Sequence, residues 1–321
     1  MIILTGGAGF IGSSFLSKLN LEGITDILVV DELGDKIKDK NLNNKSYLDY
    51  VDKDDFVESI NRGNPPKDVR AVFHIGACSS TTVFDVAYLT KNNFEYSKIL
   101  AKWSLDKNIP FYYASSAATY GDGSQGFSDA DEMIPKLKPL NPYGNSKQAF
   151  DLWVLENKLQ NRIVGYKYFN VFGPNEYHKG DMRSVVVKAY EQINKEGKVR
   201  LFKSCRKEYK DGEQKRDFIY VKDAIEVMWE CYRNPKIKGI FNLGTGLART
   251  WNDLVNAIFS AVGKKPVIEY IDMPEEIRDK YQYFTEAKMD KIRLAGLDHK
   301  FMSLEDAVKD YAGYLKEGSY L

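Results

Sequence analysis

The 321-residue sequence contains only three cysteines, Cys78, Cys205 and Cys231, odd in number, widely spaced and without a CxxC pair. That excludes a disulfide framework and a cysteine-based metal site, and it suits a reducing compartment. No apolar run approaches the roughly 20 residues that cross a bilayer. The opening Met1-Ile2-Ile3-Leu4-Thr5 meets glycines at once, too short and too poor in flanking basic residues for a secretion signal. Surplus charge of one sign is missing too. With 46 Lys and Arg against 45 Asp and Glu, the net charge is +1, so no long-range field collects nucleic-acid phosphates. Internal repeats and low-complexity tails are absent. These absences predict a soluble, cytoplasmic chain that binds neither nucleic acid, membrane nor metal.

What is present is enough apolar residue, 43% of the chain, for a large core and two subdomains. Met1 to Leu4 reads as a strand, Phe10 to Leu19 as a helix and Ile27 to Asp31 as a second strand. Further strands are expected at Ala71 to Ile75, Ile109 to Ser115 and Ile163 to Phe169. A long amphipathic stretch from Val83 to Leu105 and a helix from Pro142 to Leu159 lie between them. Strands too apolar to leave a face in water, alternating with helices, imply a doubly wound parallel α/β sheet covered on both sides. Beyond Val171 the rhythm loosens. Helices are expected at 184–194, 225–232, 251–262 and 304–315, with strands at Phe218 to Val221, Gly239 to Leu243 and Val267 to Ile271. Residues 1–170 with 218–245 are therefore expected to form a dinucleotide-binding lobe, and 171–217 with 246–321 mainly a smaller α/β substrate lobe.

Gly6, Gly9 and Gly12 recur at three-residue intervals between the first strand and the first helix. Such a turn lets backbone approach a pyrophosphate, and the helix start offers free N–H groups to its charge. Asp31, closing the second strand, suits an adenosine ribose; with Glu32 it would repel a 2′-phosphate and so favours NAD. Lys36, Lys38 and Lys40 just downstream could fold over a 2′-phosphate, so the residues themselves leave both cofactors open.

Tyr143 and Lys147 stand four residues apart on one helix face. A phenol with an ordinary pKa of about 10 is a poor base at neutral pH, and a lysine cation beside it favours the phenolate. Ser116, at a strand end, can share the substrate oxygen with Tyr143.

The glycine turn, Ser115-Ser116, Tyr120-Gly121 and Tyr143-x-x-x-Lys147 together resemble the extended short-chain dehydrogenase/reductase superfamily, which has a Rossmann-type fold. Longer blocks resemble the ADP-L-glycero-D-manno-heptose 6-epimerase family. They are His74 to Thr82, Tyr113 to Gly121, Tyr168 to Pro174, His178-Lys179-Gly180, Lys215 to Phe218 and Tyr281 to Thr285. The resemblance implies inversion at C6″ of an ADP-heptose by oxidation to a ketone and re-reduction on the opposite face, in lipopolysaccharide core precursor synthesis. It also implies tightly held NADP, a homo-oligomer, and Lys179 as a second acid/base residue beside Tyr143.

Cofactor contacts carried over by the resemblance fall on Phe10, Ile11, Asp31, Glu32, Lys38, Lys53, Ile75, Gly76, Ala77, Cys78, Ser79, Asn92, Tyr143, Lys147, Val171 and Lys179. Substrate contacts fall on Asn170, Asp181, Lys188, Phe202, Lys203, Ser204, Cys205, Arg216 and Tyr281, with Arg216 suited to a diphosphate. Lys38 points to NADP. Glu32 stands where the family has a neutral Asn and leaves NAD possible; Asp181 and Lys188 replace a serine and a histidine. Cys78 reads as a small residue near the nicotinamide rather than a nucleophile. Ser116 is followed by Ala117-Ala118, where 4,6-dehydratases place an Asp-Glu pair, which argues against dehydration. A 4-epimerase differs in the carbon offered to the cofactor, which the sequence does not fix. A non-catalytic dinucleotide sensor would lack Tyr143 or Lys147.

Overall fold

In the computed structural model, which describes residues 1–81, 83–278 and 281–321, seven parallel strands form the central sheet. They are β1 (Ile2–Thr5), β2 (Ile27–Asp31), β3 (Asp49–Asp52), β4 (Ala71–His74), β5 (Phe111–Ser116), β6 (Ile163–Tyr168) and β10 (Gly239–Leu243), in the order β10-β6-β5-β4-β1-β2-β3. All of β1, β4, β6 and β10 is buried, which is why these segments read as continuous apolar runs. Side chains alternate between two buried layers. Ile2, Leu4, Phe73, Tyr112 and Tyr166 pack on one face with Phe15 and Leu16, and Ile3, Val72, Phe111 and Tyr113 pack on the other with Leu100 and Phe150. Phe73 stacks on Tyr112 with centroids 4.4 Å apart and planes 11° apart.

Strand order reverses between β1 and β4, since the chain runs outward through β2 and β3 on one side and through β4, β5 and β6 on the other. A crevice opens at the carboxyl ends of the strands at such a reversal. Two smaller sheets lie beyond it. One joins β7 (Asn170–Phe172), β9 (Lys215–Tyr220) and β11 (Ala248–Thr250); the other pairs β8 (Val199–Phe202) with β12 (Ile268–Ile271).

The structure refines the sequence reading at three places. Edge strand β3 and the helix Lys53–Asn61 were not expected, because the edge leaves β3 partly exposed and without an apolar run. The stretch from Val83 to Leu105 is not one helix. It comprises Val86–Leu89, a π-turn at Thr90–Glu95 and Tyr96–Asp106. Phe218 to Tyr220 forms the second half of β9, which pairs with β7 and β11 rather than with the large sheet, whereas Gly239 to Leu243 does join it beside β6. Thr82, at the end of the His74 block, lies outside the described residues. Among the described residues no helix is long and apolar enough to cross a membrane.

Candidate active site

A cleft of about 710 Å³ occupies the reversal point. Its floor is the glycine turn. Gly6 has φ +68°, and a Cβ there would lie 2.5 Å from Gly76 Cα; a Cβ on Gly12 would lie 2.0 Å from the Gly6 oxygen. Only glycines let β1, the helix Phe10–Leu21 and the loop after β4 approach so closely. No side chain caps that helix at Gly9, so its first N–H groups are available to an anion.

Asp31, ending β2, accepts from Ala8 N (3.0 Å), Glu32 N (2.8 Å) and Lys38 Nζ (3.0 Å). The carboxylate is thus tied to the glycine turn and already faces a cation. Lys53 reaches Asn92 Oδ1 at 3.4 Å, placing a second ammonium on the same wall. Lys36 and Lys40 remain exposed and off the cleft.

The acid/base wall is the first turn of the helix Pro142–Glu156. Proline opens it, and the Asn141 side chain caps it by accepting from Gly144 N at 2.8 Å. The Tyr143 phenol lines the cleft with Ser116 at the end of β5; burial raises its pKa, and the Ser116 hydroxyl opposes that rise. Lys147 is buried and donates to Ala114 O at 2.8 Å. Burial brings its pKa down to about 8, against the pull of Asp151 and Cys78.

Behind this wall lies a polar network that the sequence reading missed. Asp151, one helical turn after Lys147, accepts from Tyr113 OH (2.8 Å), Ser115 Oγ (2.7 Å) and Lys167 Nζ (2.6 Å). Lys167 also donates to Thr119 Oγ1 at 2.9 Å. Both ions are wholly buried, and their cost of burial is offset because each is hydrogen-bonded on several sides.

Lys179 comes from the loop turn Tyr177–Met182. Its Nζ lies 5.4 Å from the Phe10 ring centroid, and burial lowers its pKa while Glu176 pulls the other way. Buried Glu176 staples the loop by accepting from Gly173 N (3.3 Å) and Ser184 Oγ (2.7 Å). Asn41 fastens the loop to the glycine turn, donating to Ala8 O (2.9 Å) and Asn175 O (3.0 Å).

The cleft brings together every position expected on the cofactor side. Gly6, Gly9, Phe10, Ile11, Gly12, Asp31, Glu32, Lys38, Lys53, Ile75, Gly76, Ala77, Cys78, Ser79, Asn92, Ser116, Tyr143, Lys147, Val171 and Lys179 all line it, as does Asn170. The other expected substrate positions do not. Asp181 and Lys188 lie outside, Lys188 Nζ donating to Asp181 O at 2.6 Å. Phe202 ends β8, and Ser204 lies in the segment after it, where Lys203 pairs with Asp272 at 3.0 Å and Cys205 N donates to Tyr283 OH at 2.9 Å.

Arg216 is buried with its guanidinium carbon 5.6 Å from the Trp251 ring and 5.2 Å from the Tyr281 ring. Trp251 Nε1 donates to Tyr281 OH at 2.9 Å. Trp251 itself lines the cleft, so this cation and its two aromatic partners border it. Trp251, Phe218, Leu254, His178, Met182 and Arg183 are lining residues that the sequence reading did not assign to the site. No local pattern signals them, because Phe218 comes from β9, Trp251 and Leu254 from the helix Trp251–Ala261, and the other three from the loop that carries Lys179. Among the described residues no three His, Cys, Asp or Glu side chains are grouped to hold a metal ion.

Residues 2–244 match the NAD dependent epimerase/dehydratase family. The ADP-L-glycero-D-manno-heptose-6-epimerase of Nitratidesulfovibrio vulgaris is 58% identical over 311 residues, 97% of this chain and 96% of that one. The enzyme of the same name from Fusobacterium nucleatum is 48% identical over 332 aligned positions and the whole of both chains. Among solved structures, the ADP-L-glycero-D-manno-heptose-6-epimerase of Helicobacter pylori superposes with a TM-score of 0.82 at 26% identity, covering 98% of this chain and 96% of that one. A UDP-glucose 4-epimerase from Thermotoga maritima gives 0.76 at 26% identity, with 99% of each chain covered. The fold, the cleft and this full-length likeness agree: the chain belongs to the ADP-L-glycero-D-manno-heptose 6-epimerase family, within the NAD dependent epimerase/dehydratases.

Proposed function

We propose that this protein interconverts ADP-D-glycero-D-manno-heptose and ADP-L-glycero-D-manno-heptose by inverting C6″, supplying a lipopolysaccharide core precursor in the cytoplasm. The observation that carries this reading is one cleft holding an uncapped glycine-turn helix, Tyr143 and Ser116 beside the buried Lys147, and Lys179.

The residues fit a nicotinamide dinucleotide. The glycine turn forms a cradle that any Cβ would fill, Asp31 closes β2 beside it, and Lys147 is a buried ammonium with one backbone acceptor at its tip. Gly6, Gly9 and the helix start would hold the pyrophosphate, Asp31 and Lys38 the adenosine ribose, and Lys147 the nicotinamide ribose. Bound there, the dinucleotide supplies reversible hydride exchange, without which the carbinol hydrogen at C6″ is far too weakly acidic to be removed.

Tyr143, with Ser116 steadying the same oxygen, accepts the C6″ hydroxyl proton in one orientation of the heptose. The Lys147 cation favours the phenolate by charge. Rotation about C5″–C6″ turns the planar ketone over, and Lys179 then handles the proton. Lowered by burial, its pKa brings that ammonium nearer to the working range. Proton transfer from opposite sides is what inversion needs and what a single tyrosine is badly placed to provide.

Lys38 and Lys53 on one wall support NADP, and Glu32 among them leaves NAD as a second cofactor. Asn170 contacts the sugar within the cleft. Arg216, with Tyr281, receives the diphosphate through its planar fork. Phe202 to Cys205, Asp181 and Lys188 approach the nucleotide from outside the present cleft. The large sheet with its helices serves as the cofactor lobe and the two smaller sheets as the substrate lobe, in a homo-oligomer.

Incubation of the purified protein with ADP-D-glycero-D-manno-heptose tests the reading. The expected result is a mixture of the two C6″ configurations, and an unchanged substrate in the presence of either dinucleotide would refute it.

A further inference from the structure

Asn93 belongs to no part of the site described so far, yet it is completely buried and its side-chain amide is occupied on both ends. Oδ1 accepts from Cys78 N at 2.9 Å, while Nδ2 donates to Cys78 O at 3.0 Å and to Ser146 Oγ at 3.0 Å. Ser146 Oγ in turn donates to Tyr143 O at 2.7 Å. One side chain thus clamps both backbone groups of a residue on the cofactor-lining loop after β4. It also links that residue, through a single hydroxyl, to the peptide of the tyrosine that faces the loop.

The clamp depends on the π-turn. Thr90–Glu95 separates the α-helical segments Val86–Leu89 and Tyr96–Asp106, and such turns recur at functional sites. The Asn93 carbonyl within it accepts from Ser97 Oγ at 2.6 Å. That hydroxyl bonds His74 Nε2 at 2.8 Å, and His74 Nδ1 bonds Thr5 Oγ1 at 2.7 Å. Burial takes the His74 pKa down to about 3, so the imidazole is neutral and serves here as a connector. Asn92, the preceding residue, faces the cleft and Lys53, so adjacent residues of the wide turn serve the cofactor wall and its support.

We propose that Asn93 is a positioning residue that sets the Cys78 backbone at a fixed distance from the Tyr143 helix, and thereby aligns the acid/base phenol with the nicotinamide. The chemistry of the side chain is specific. Aspartate has the same shape but no donor, so it would set two acceptor oxygens and a buried charge against Cys78 O. Alanine leaves a buried N–H, a carbonyl and a hydroxyl without their partner. The rate consequence rests on the function proposed above; the clamp itself does not.

Two readouts on the full-length protein separate these. In Asn93→Ala, hydrogen exchange is expected to accelerate in peptides covering residues 75–80 and 142–147, with β5 and β6 peptides unchanged. The rate readout compares kcat with substrate KM and with the Kd for NADP. A fall in kcat of about 100-fold, with KM and Kd moving less than about threefold, is the signature of misalignment rather than lost binding. Ser146→Ala cuts only the arm to Tyr143 and keeps the Cys78 clamp, and a kcat loss of about tenfold is expected there.

Unchanged exchange at Cys78 in Asn93→Ala, or kcat within about threefold of the parent, would overturn the proposal. If Asn93→Ala does not fold, Ser146→Ala decides: slow turnover with the cofactor held upholds the assignment, and full turnover overturns it. A parent protein that fails to epimerise defeats the proposed function instead, and the exchange experiment then judges Asn93 alone.

Discussion

The two sides of the cleft differ in how they are built. On one side the glycine turn, Asp31, residues 75–79 and Ser116 come from the carboxyl ends of strands or the turns that follow them, in a sheet whose parallel order fixes those ends side by side. The other side draws on β9, the helix after β11 and the loop carrying Lys179, none of which belongs to the large sheet. Its elements meet through side chains such as Arg216 between Trp251 and Tyr281. A site made by backbone is fixed by topology, whereas one made by side chains from separate segments is fixed only when those segments dock.

Substitutions on the two sides should therefore fail differently. Tyr143→Phe should have the largest effect, lowering kcat by about 1,000-fold with dinucleotide content unchanged, because it removes the proton acceptor and leaves the cradle intact. Product analysis together with the dinucleotide released on denaturation measures both. Lys179→Met should cost about 100-fold, again with cofactor retained. Full turnover in that variant would make Lys179 a phosphate ligand and move the second proton transfer elsewhere. Lys38→Ala should have the smallest effect, shifting the NADP-over-NAD preference by about tenfold in equilibrium titration, the worth of one charge-assisted contact. An unaltered preference would confine Lys38 to its ion pair with Asp31.

Legibility in the sequence follows the same division. Gly6, Gly9 and Gly12 were readable because their purpose is local, and a Cβ at Gly12 meets the Gly6 oxygen only six residues away. Tyr143 and Lys147 were readable because one helical turn relates them. The alternating apolar strands gave the large sheet, since burial on both faces leaves an unbroken hydrophobic run.

Asp151 and Lys167 were not readable. A charged residue in a helix and another in a strand acquire meaning only when β5 and β6 pair and bring Ser115 and Thr119 to them. Asn93 was hidden for a similar reason. An asparagine in an amphipathic helix looks like surface, and only the π-turn directs it inward at Cys78 and Ser146. Edge strand β3 carries no pattern because it has one neighbour and partial exposure. Arg216 was named by likeness to a family, but its aromatic flanks come from segments 35 and 65 residues further on.

The central claim is that C6″ is inverted by hydride transfer within the cleft, with Tyr143 and Lys179 moving only protons of the hydroxyl. Epimerisation in deuterated water, followed by isotope analysis of the inverted carbon, tests it most directly. The account predicts inverted product with hydrogen, not deuterium, at C6″. Deuterium at that carbon, or inversion by protein freed of its dinucleotide, would contradict it.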